Sequence, residues 1–357
     1  MDVPVWVWGA TIAGILAMLA VDYVGHVRHA HEPTLRESGM WSLAYVAIAV
    51  VFGVGVWLFA GAQYGGEYFA GYITEKSLSV DNLFVFVLIM AAFRVPRQYQ
   101  QKVLLIGITI ALVLRTVFIL VGAALVENFS WIFYVFGAFL IYTAYTQIKS
   151  GAGHEDEYHE PGALRFMRRF IPTTDDFVQD RMTTRIDGKR FFTPMLLVMI
   201  AIGTADVIFA VDSIPAIFGL TQETFLVFTA NAFSLLGLRQ LFFLIDGLLD
   251  RLVYLSYGLG AILAFIGAKL VIHAMHTNEV PFINGGEHIT AIPEVTTSVS
   301  LGVIVGILAV TTFASLWKDR RDRAATVAQA EGSAARPGTG ADPSAHKDDE
   351  PTGSARR

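Results

Sequence analysis

Residues 205–215 read Ala-Asp-Val-Ile-Phe-Ala-Val-Asp-Ser-Ile-Pro, inside an apolar run from Phe191 to Leu220. A helix crosses a bilayer with about 20 mainly apolar residues, so this run is long enough. Yet it carries two carboxylates, Asp206 and Asp212. A charge at the bilayer centre costs about 2.5–3.5 kcal/mol even on the gentlest insertion scale. A segment that keeps two of them, six residues apart and followed by Pro215, has a use for them.

The rest of the chain is of the same kind. Of 357 residues, 54% are hydrophobic and 16% charged, with a mean hydropathy of +0.53. That excludes a single soluble domain and fits an all-α, polytopic transmembrane bundle. There is no cysteine, hence no disulfide framework and no thiolate metal site. A net charge of -5 does not point to nucleic acid. The first apolar stretch lacks a basic n-region and reads as a retained helix rather than a cleaved leader. No protease motif or nucleophile pair appears, so no enzymatic activity is expected.

About nine spans are expected, near 5–23, 40–61, 68–93, 103–126, 129–149, 192–219, 224–245, 251–275 and 297–317. Together they make a transmembrane domain over 1–317. A charged loop at about 150–191 interrupts it and offers a surface for protein partners. Residues 318–357, rich in Ala, Gly, Pro, Ser and charge, are expected to form a disordered cytoplasmic tail. With nine spans, the Lys and Arg residues outside the helices all fall on one side: Arg28, Arg36, Arg94, Arg97, Lys102, the 149–190 group, Arg251 and Lys318 to Arg323. The positive-inside rule then places the N-terminus outside and the C-terminus in the cytoplasm. His26, His29 and His31 read as a solvated loop, and Asp22 as snorkelling at the end of the first helix. The six tryptophans sit near helix ends, where interfacial belts place them.

The opening stretch has an echo. Glu75-Lys76-Ser77-Leu78-Ser79-Val80-Asp81-Asn82 also has two acids six apart, and Val80-Asp81-Asn82 aligns with Val211-Asp212-Ser213. The next span in each half carries L-x-L-R-x-x-F-x-L, at Leu112–Leu120 and at Leu236–Leu244. Gly137-Ala138 and Gly260-Ala261 match more weakly. Two three-helix repeats result, about 68–149 and 192–275. An odd number of helices inverts the second relative to the first. Inverted repeats are typical of secondary transporters, with the site near the midplane.

Six residues of helix rise about 9 Å, so the inversion sets Glu75 level with Asp212 and Asp81 level with Asp206. Either the helix is broken between the two acids of a pair or they serve different neighbours; Pro215 lacks an N–H and is expected to disturb the preceding turn, freeing carbonyls near Phe209–Val211. Two readings of the four acids stand side by side. In the first they pair with the four intramembrane cations, Lys76, Arg115, Arg239 and Lys269. In the second the arginines brace the repeats and the carboxylates bind a divalent ion, helped by Asn82 and Ser213. An oxygen-only ligand set suits hard cations such as Mn²⁺, Ca²⁺ and Mg²⁺.

These motifs resemble the TerC/Alx family of integral membrane proteins. The resemblance is carried by GYITEKSLSVDNLFVF (Gly71–Phe86), VPRQYQQKVLLIGI (Val95–Ile108), ALVLRTVFI (Ala111–Ile119), DVIFAVDSIPAIFG (Asp206–Gly219) and NAFSLLGLRQLFFL (Asn231–Leu244). It implies Mn²⁺ export and an association with tellurium resistance. It also implies functional acids at Glu75, Asp81, Asp206 and Asp212, with Asn231 in support. Relatives often carry a Glu where Gly203 stands here and a Lys where Thr146 stands here, which bears on affinity and ion choice. The expected function is therefore a secondary exporter of a divalent cation, with Mn²⁺ as cargo, no prosthetic group and proton antiport as the natural coupling. The alternative is a non-transporting membrane partner that supports metal or tellurite resistance through other proteins.

Overall fold

The structure is a computed structural model and describes residues 1–27, 34–150, 174, 177, 181–186, 189–245, 254–281, 283–289 and 292–334. His29, His31, most of the 150–191 loop and the tail beyond 334 lie outside the described residues. The described chain is helical throughout except for one short hairpin. Its helices are α1 (Val5–Asp22), α2 (Leu35–Ala60), α3 (Ala62–Ala92), α4 (Arg97–Asn128), α5 (Ile132–Ser150), α6 (Pro194–Phe218), α7 (Thr224–Leu235), α8 (Leu238–Ile245), α9 (Leu255–His276) and α10 (Thr297–Ala334). Strands β1 (Thr183–Ile186) and β2 (Lys189–Phe192) pair antiparallel, with Thr183 opposite Phe192. The hairpin takes residues 189–192 and pushes the start of α6 to Pro194, a favoured first helical residue.

Seven stretches among the described residues are long and apolar enough to cross a bilayer. The protein is a multi-pass integral membrane protein. Two expected spans, α3 and α5, have the length at 31 and 19 residues but not the apolarity. Glu67, Glu75, Lys76 and Asp81 interrupt α3, and the Tyr, Thr, Gln and Lys residues from 142 to 149 dilute α5.

Several boundaries differ from expectation for local reasons. Helix α2 starts at Leu35 because Thr34 caps it, accepting from Glu37 N at 3.2 Å, a Thr-x-x-Glu capping pattern. Helix α3 begins at Ala62 and so draws Glu67 into the fold. Residues 318–334, expected as disordered tail, continue α10. Their Ala, Gln and Glu are good helix formers, and extension from an existing span avoids a new nucleus. The seventh span is two helices, broken at Leu236–Gly237, where Gly237 takes φ of 80°. Helix α6 runs unbroken from Pro194 to Phe218 with Pro215 inside it, so of the two alternatives for the acids the broken helix is not the one found.

Packing sorts the helices into centre and rim. In the Thr224–Leu244 stretch 94% of the apolar window is buried, against 11% for Val5–Gly25 and 17% for Thr297–Arg321. Rim helices expose side chains such as Leu58, Phe59 and Phe313, as lipid-facing helices do. At the centre, α3 packs on α7, α4 on α6, and α5 on α9. The last contact is made by small residues. A Cβ on Gly137 would lie 2.9 Å from Gly267 O, and one on Gly267 would lie 3.0 Å from Gly137 O. Close backbone approach of this kind is how helices associate where lipid removes the hydrophobic drive.

Candidate cation site

The site is built from α3, α4, α6 and α7. Helix α3 supplies Glu75, which is 1% exposed, and α6 supplies Asp206, which is 2% exposed. Between them lies Arg115 of α4, fully buried. Its Nη1 donates to Glu75 Oε1, and its Nε and Nη2 both lie 3.5 Å from Asp206 Oδ1. Asn231 of α7 donates from Nδ2 to Glu75 Oε1 at 3.0 Å. Asn82, in the amide orientation that satisfies both ends, gives Nδ2 to Leu78 O and takes Arg115 Nη2 on its oxygen, each at 3.1 Å.

Asp81 and Asp212 form a second group, both half-buried. Gln147 of α5 donates from Nε2 to Asp81 Oδ2 at 2.9 Å. Asp212 lies within electrostatic reach of Asp81 and of Arg115. The contacts thus join the acids differently from the level-by-level expectation. Glu75 goes with Asp206 through Arg115, while Asp81 bonds Gln147 and lies within electrostatic reach of Asp212. The reason is reach: a guanidinium on a long stem carries five donors and links carboxylates on helices at different heights.

The remaining cations do not face the four acids. Lys76 Nζ donates to Ser234 O at 3.0 Å. In an unbroken helix that carbonyl would accept from residue 238, so Lys76 satisfies an acceptor that the break at Gly237 sets free. Arg239 gives Nη2 to Asp22 Oδ1 at 3.1 Å and Nη1 to Gln101 Oε1 at 2.9 Å. Asp22 is therefore buried and ion-paired, not snorkelling: it is 3% exposed, and Gln240 and Tyr45 also hydrogen-bond to it. Lys269 lines a separate cavity of about 1140 Å³, in the electrostatic reach of Glu67 and Glu294. There Thr221 donates to Glu67 Oε2 at 2.7 Å.

Buried oxygens in the site lack protein partners. They are Glu75 Oε2, Asp206 Oδ2 and Asn231 Oδ1. Buried polar atoms are nearly always paired, so a group of orphans on one site calls for a ligand or water. Hard carboxylate and amide oxygens suit a hard divalent cation. Among the described residues no three His, Cys, Asp or Glu side chains already converge as metal ligands. Arg115 holds the space between the two most buried acids.

The sequence matches the TerC profile, "Integral membrane protein TerC family", over residues 60–323. The chain belongs to the TerC family. This TerC chain is 54% identical over 318 residues to the membrane protein Rv2723 of Mycobacterium tuberculosis, covering 88% of this chain and 80% of that one. It is 41% identical over 313 residues to the membrane protein STKORF319 of Myxococcus xanthus, covering 88% and 92%. It is 37% identical over 325 residues to the "Putative membrane-bound redox modulator Alx" of Escherichia coli K12, covering 88% and 95%. No solved structure matches.

Three polar partners had no place in the expected site: Gln147, Gln101 and Glu67. The signal for Gln147 is a lone amide in the last turns of an apolar span, next to the atypical Thr146. Gln101 and Glu67 fell just outside the expected helix limits, which began six residues late in both helices.

Proposed function

We propose that this TerC protein exports a divalent cation, Mn²⁺ first, by alternating access between two inverted three-helix repeats. The observation that carries the reading is the set of orphaned, fully buried oxygens around Glu75 and Asp206 in a chain with no soft ligand. The cross-packing supports the repeats: α3 on α7 mirrors α6 on α4, and the two third helices, α5 and α9, meet each other. That is the pattern a two-fold axis in the membrane plane produces. The one-sided distribution of Lys and Arg supports an outside N-terminus and a cytoplasmic C-terminus. Cargo enters from the cytoplasm and is held by the carboxylates. Protons that neutralise the acids on the outer side release it, which makes proton antiport the natural coupling.

The printed name of Alx offers a second reading, a redox role for a membrane partner without transport. This chain has no thiol of its own for such chemistry. The experiment that separates the two is efflux from Mn²⁺-loaded cells or vesicles, with wild type, Asp81→Asn and Asp212→Asn. Efflux by the wild type and a loss of at least about tenfold in each variant is expected. Unchanged efflux in correctly inserted variants would remove these acids from the site, and no wild-type efflux would remove the transport reading.

A further inference from the structure

We infer that Arg115 is the chain's own stand-in for the cargo: its guanidinium closes the empty site, and a divalent cation binds by displacing it. The inference rests on the divalent-cation reading and adds a residue and a step to it.

The contacts of Arg115 are those of an occupant rather than a brace. A structural Arg–carboxylate pair is usually bidentate, with two parallel N–H···O bonds. Arg115 makes no such fork. It bonds one oxygen of Glu75 through Nη1 and reaches one oxygen of Asp206 only at 3.5 Å. Its Nε has no hydrogen bond, and the second oxygen of each acid has no protein partner. Arg239 shares the bare Nε, but it serves one acid, Asp22, whose oxygens are not among the buried atoms without partners, and its bonds to Asp22 and Gln101 measure 3.1 and 2.9 Å. One arginine serves a single acid, and the other is shared between two acids from different helices, with Asn82 also taking its Nη2 at 3.1 Å.

Charge points the same way. Glu75 and Asp206 together carry two negative charges, and Arg115 cancels one. A divalent ion in its place cancels both and takes up the orphaned oxygens. The residues Arg115 joins come from both halves of the chain: α3 and α4 from the first, α6 from the second. In the empty protein it therefore ties the two halves together. Without it, the cargo-free protein would depend on protons alone to neutralise these buried carboxylates while it changes shape, and any acid left charged would be expensive. The full protein has no such problem, because the cargo itself compensates them. A carrier lacking Arg115 should exchange cargo for cargo yet fail at net export.

The test uses full-length wild type, Arg115→Gln and Arg115→Lys, in detergent and in proteoliposomes. In detergent, melting is followed with and without MnCl₂, and in parallel with CaCl₂ and MgCl₂. Arg115→Gln is expected to melt lower than wild type without ion, and to gain several degrees more than wild type from at least one of the three ions. In proteoliposomes, its net Mn²⁺ efflux should fall at least tenfold, while exchange of internal Mn²⁺ for external ⁵⁴Mn²⁺ remains measurable. Arg115→Lys keeps the charge and should fall between the two, so it carries the test if Arg115→Gln does not fold. Ion responses in the variants no larger than in wild type would overturn the inference, as would loss of exchange in step with net efflux. Absence of Mn²⁺ movement by the wild type in either mode would instead fault the Mn²⁺ reading, and the melting comparison with Ca²⁺ and Mg²⁺ would still decide the displacement.

Discussion

The pairing of Asp22 with Arg239 makes a demanding test of how this fold is held. Asp22 is almost fully buried, and its Oδ1 receives Arg239 Nη2 at 3.1 Å and Gln240 Nε2 at 3.0 Å. Tyr45 adds a hydrogen bond from α2. Asp22→Asn removes the charge and keeps the shape. Arg239 is then left as a buried charge with only neutral acceptors, the new amide oxygen and Gln101 Oε1, and its Nε is already without one. Removing one partner of a buried pair typically costs 3–5 kcal/mol, so Asp22→Asn should destabilise by about that much. Arg239→Gln should cost less, because the neutral donors of Gln240 and Tyr45 still serve the carboxylate. Removing both charges should cost less than the sum of the singles, with a coupling of about 1–3 kcal/mol. The assay is equilibrium unfolding of detergent-purified protein in a denaturing-detergent titration, with all four members of the cycle measured. A cost for Asp22→Asn below about 1 kcal/mol, or strict additivity, would refute the claim that this ion pair joins α1 to α8.

Lys76→Met should cost about 1–3 kcal/mol in the same titration, because it leaves Ser234 O buried without a donor. Gly137→Val should destabilise by about 1–3 kcal/mol or more, since even its Cβ would meet Val271 Cγ2 at 2.7 Å and Gly267 O at 2.9 Å; a neutral result would mean α5 and α9 are not packed backbone to backbone. Gln147→Leu removes the donor to Asp81 Oδ2 and should raise the Mn²⁺ concentration for half-maximal efflux about tenfold, the order expected for one hydrogen bond to a charged group. Protein level and insertion should stay unchanged in that variant, and an unaltered half-maximal concentration would take Gln147 out of the site.

How much of this was legible in the sequence follows from which quantity each feature depends on. The acids and Arg115 stood out because charge in an apolar span is costly wherever it points, and cost can be read one residue at a time. Partners could not be read that way. Whether Glu75 meets Asp212 or Asp206 depends on the reach of Arg115 and on the cross-packing of four helices. The helix break shows the same limit. Pro215 pointed to a disturbed turn, yet a proline removes only one hydrogen bond, and packing on both sides holds α6 continuous. The break came instead at Gly237, whose counterpart in the aligned L-x-L-R motif is Val113 in unbroken α4. That one difference accounts for the fate of the two matching arginines. In α4 the backbone continues straight, and Arg115 reaches the acids of α3 and α6. After Gly237 turns at positive φ, where a Cβ would lie 3.0 Å from Tyr45 Cβ, α8 sets off on a new course, and Arg239 meets Asp22 and Gln101 instead. A repeat that looks symmetric in its charged residues is thus divided by a glycine into one arginine that pairs with Asp22 and one that lies between Glu75 and Asp206.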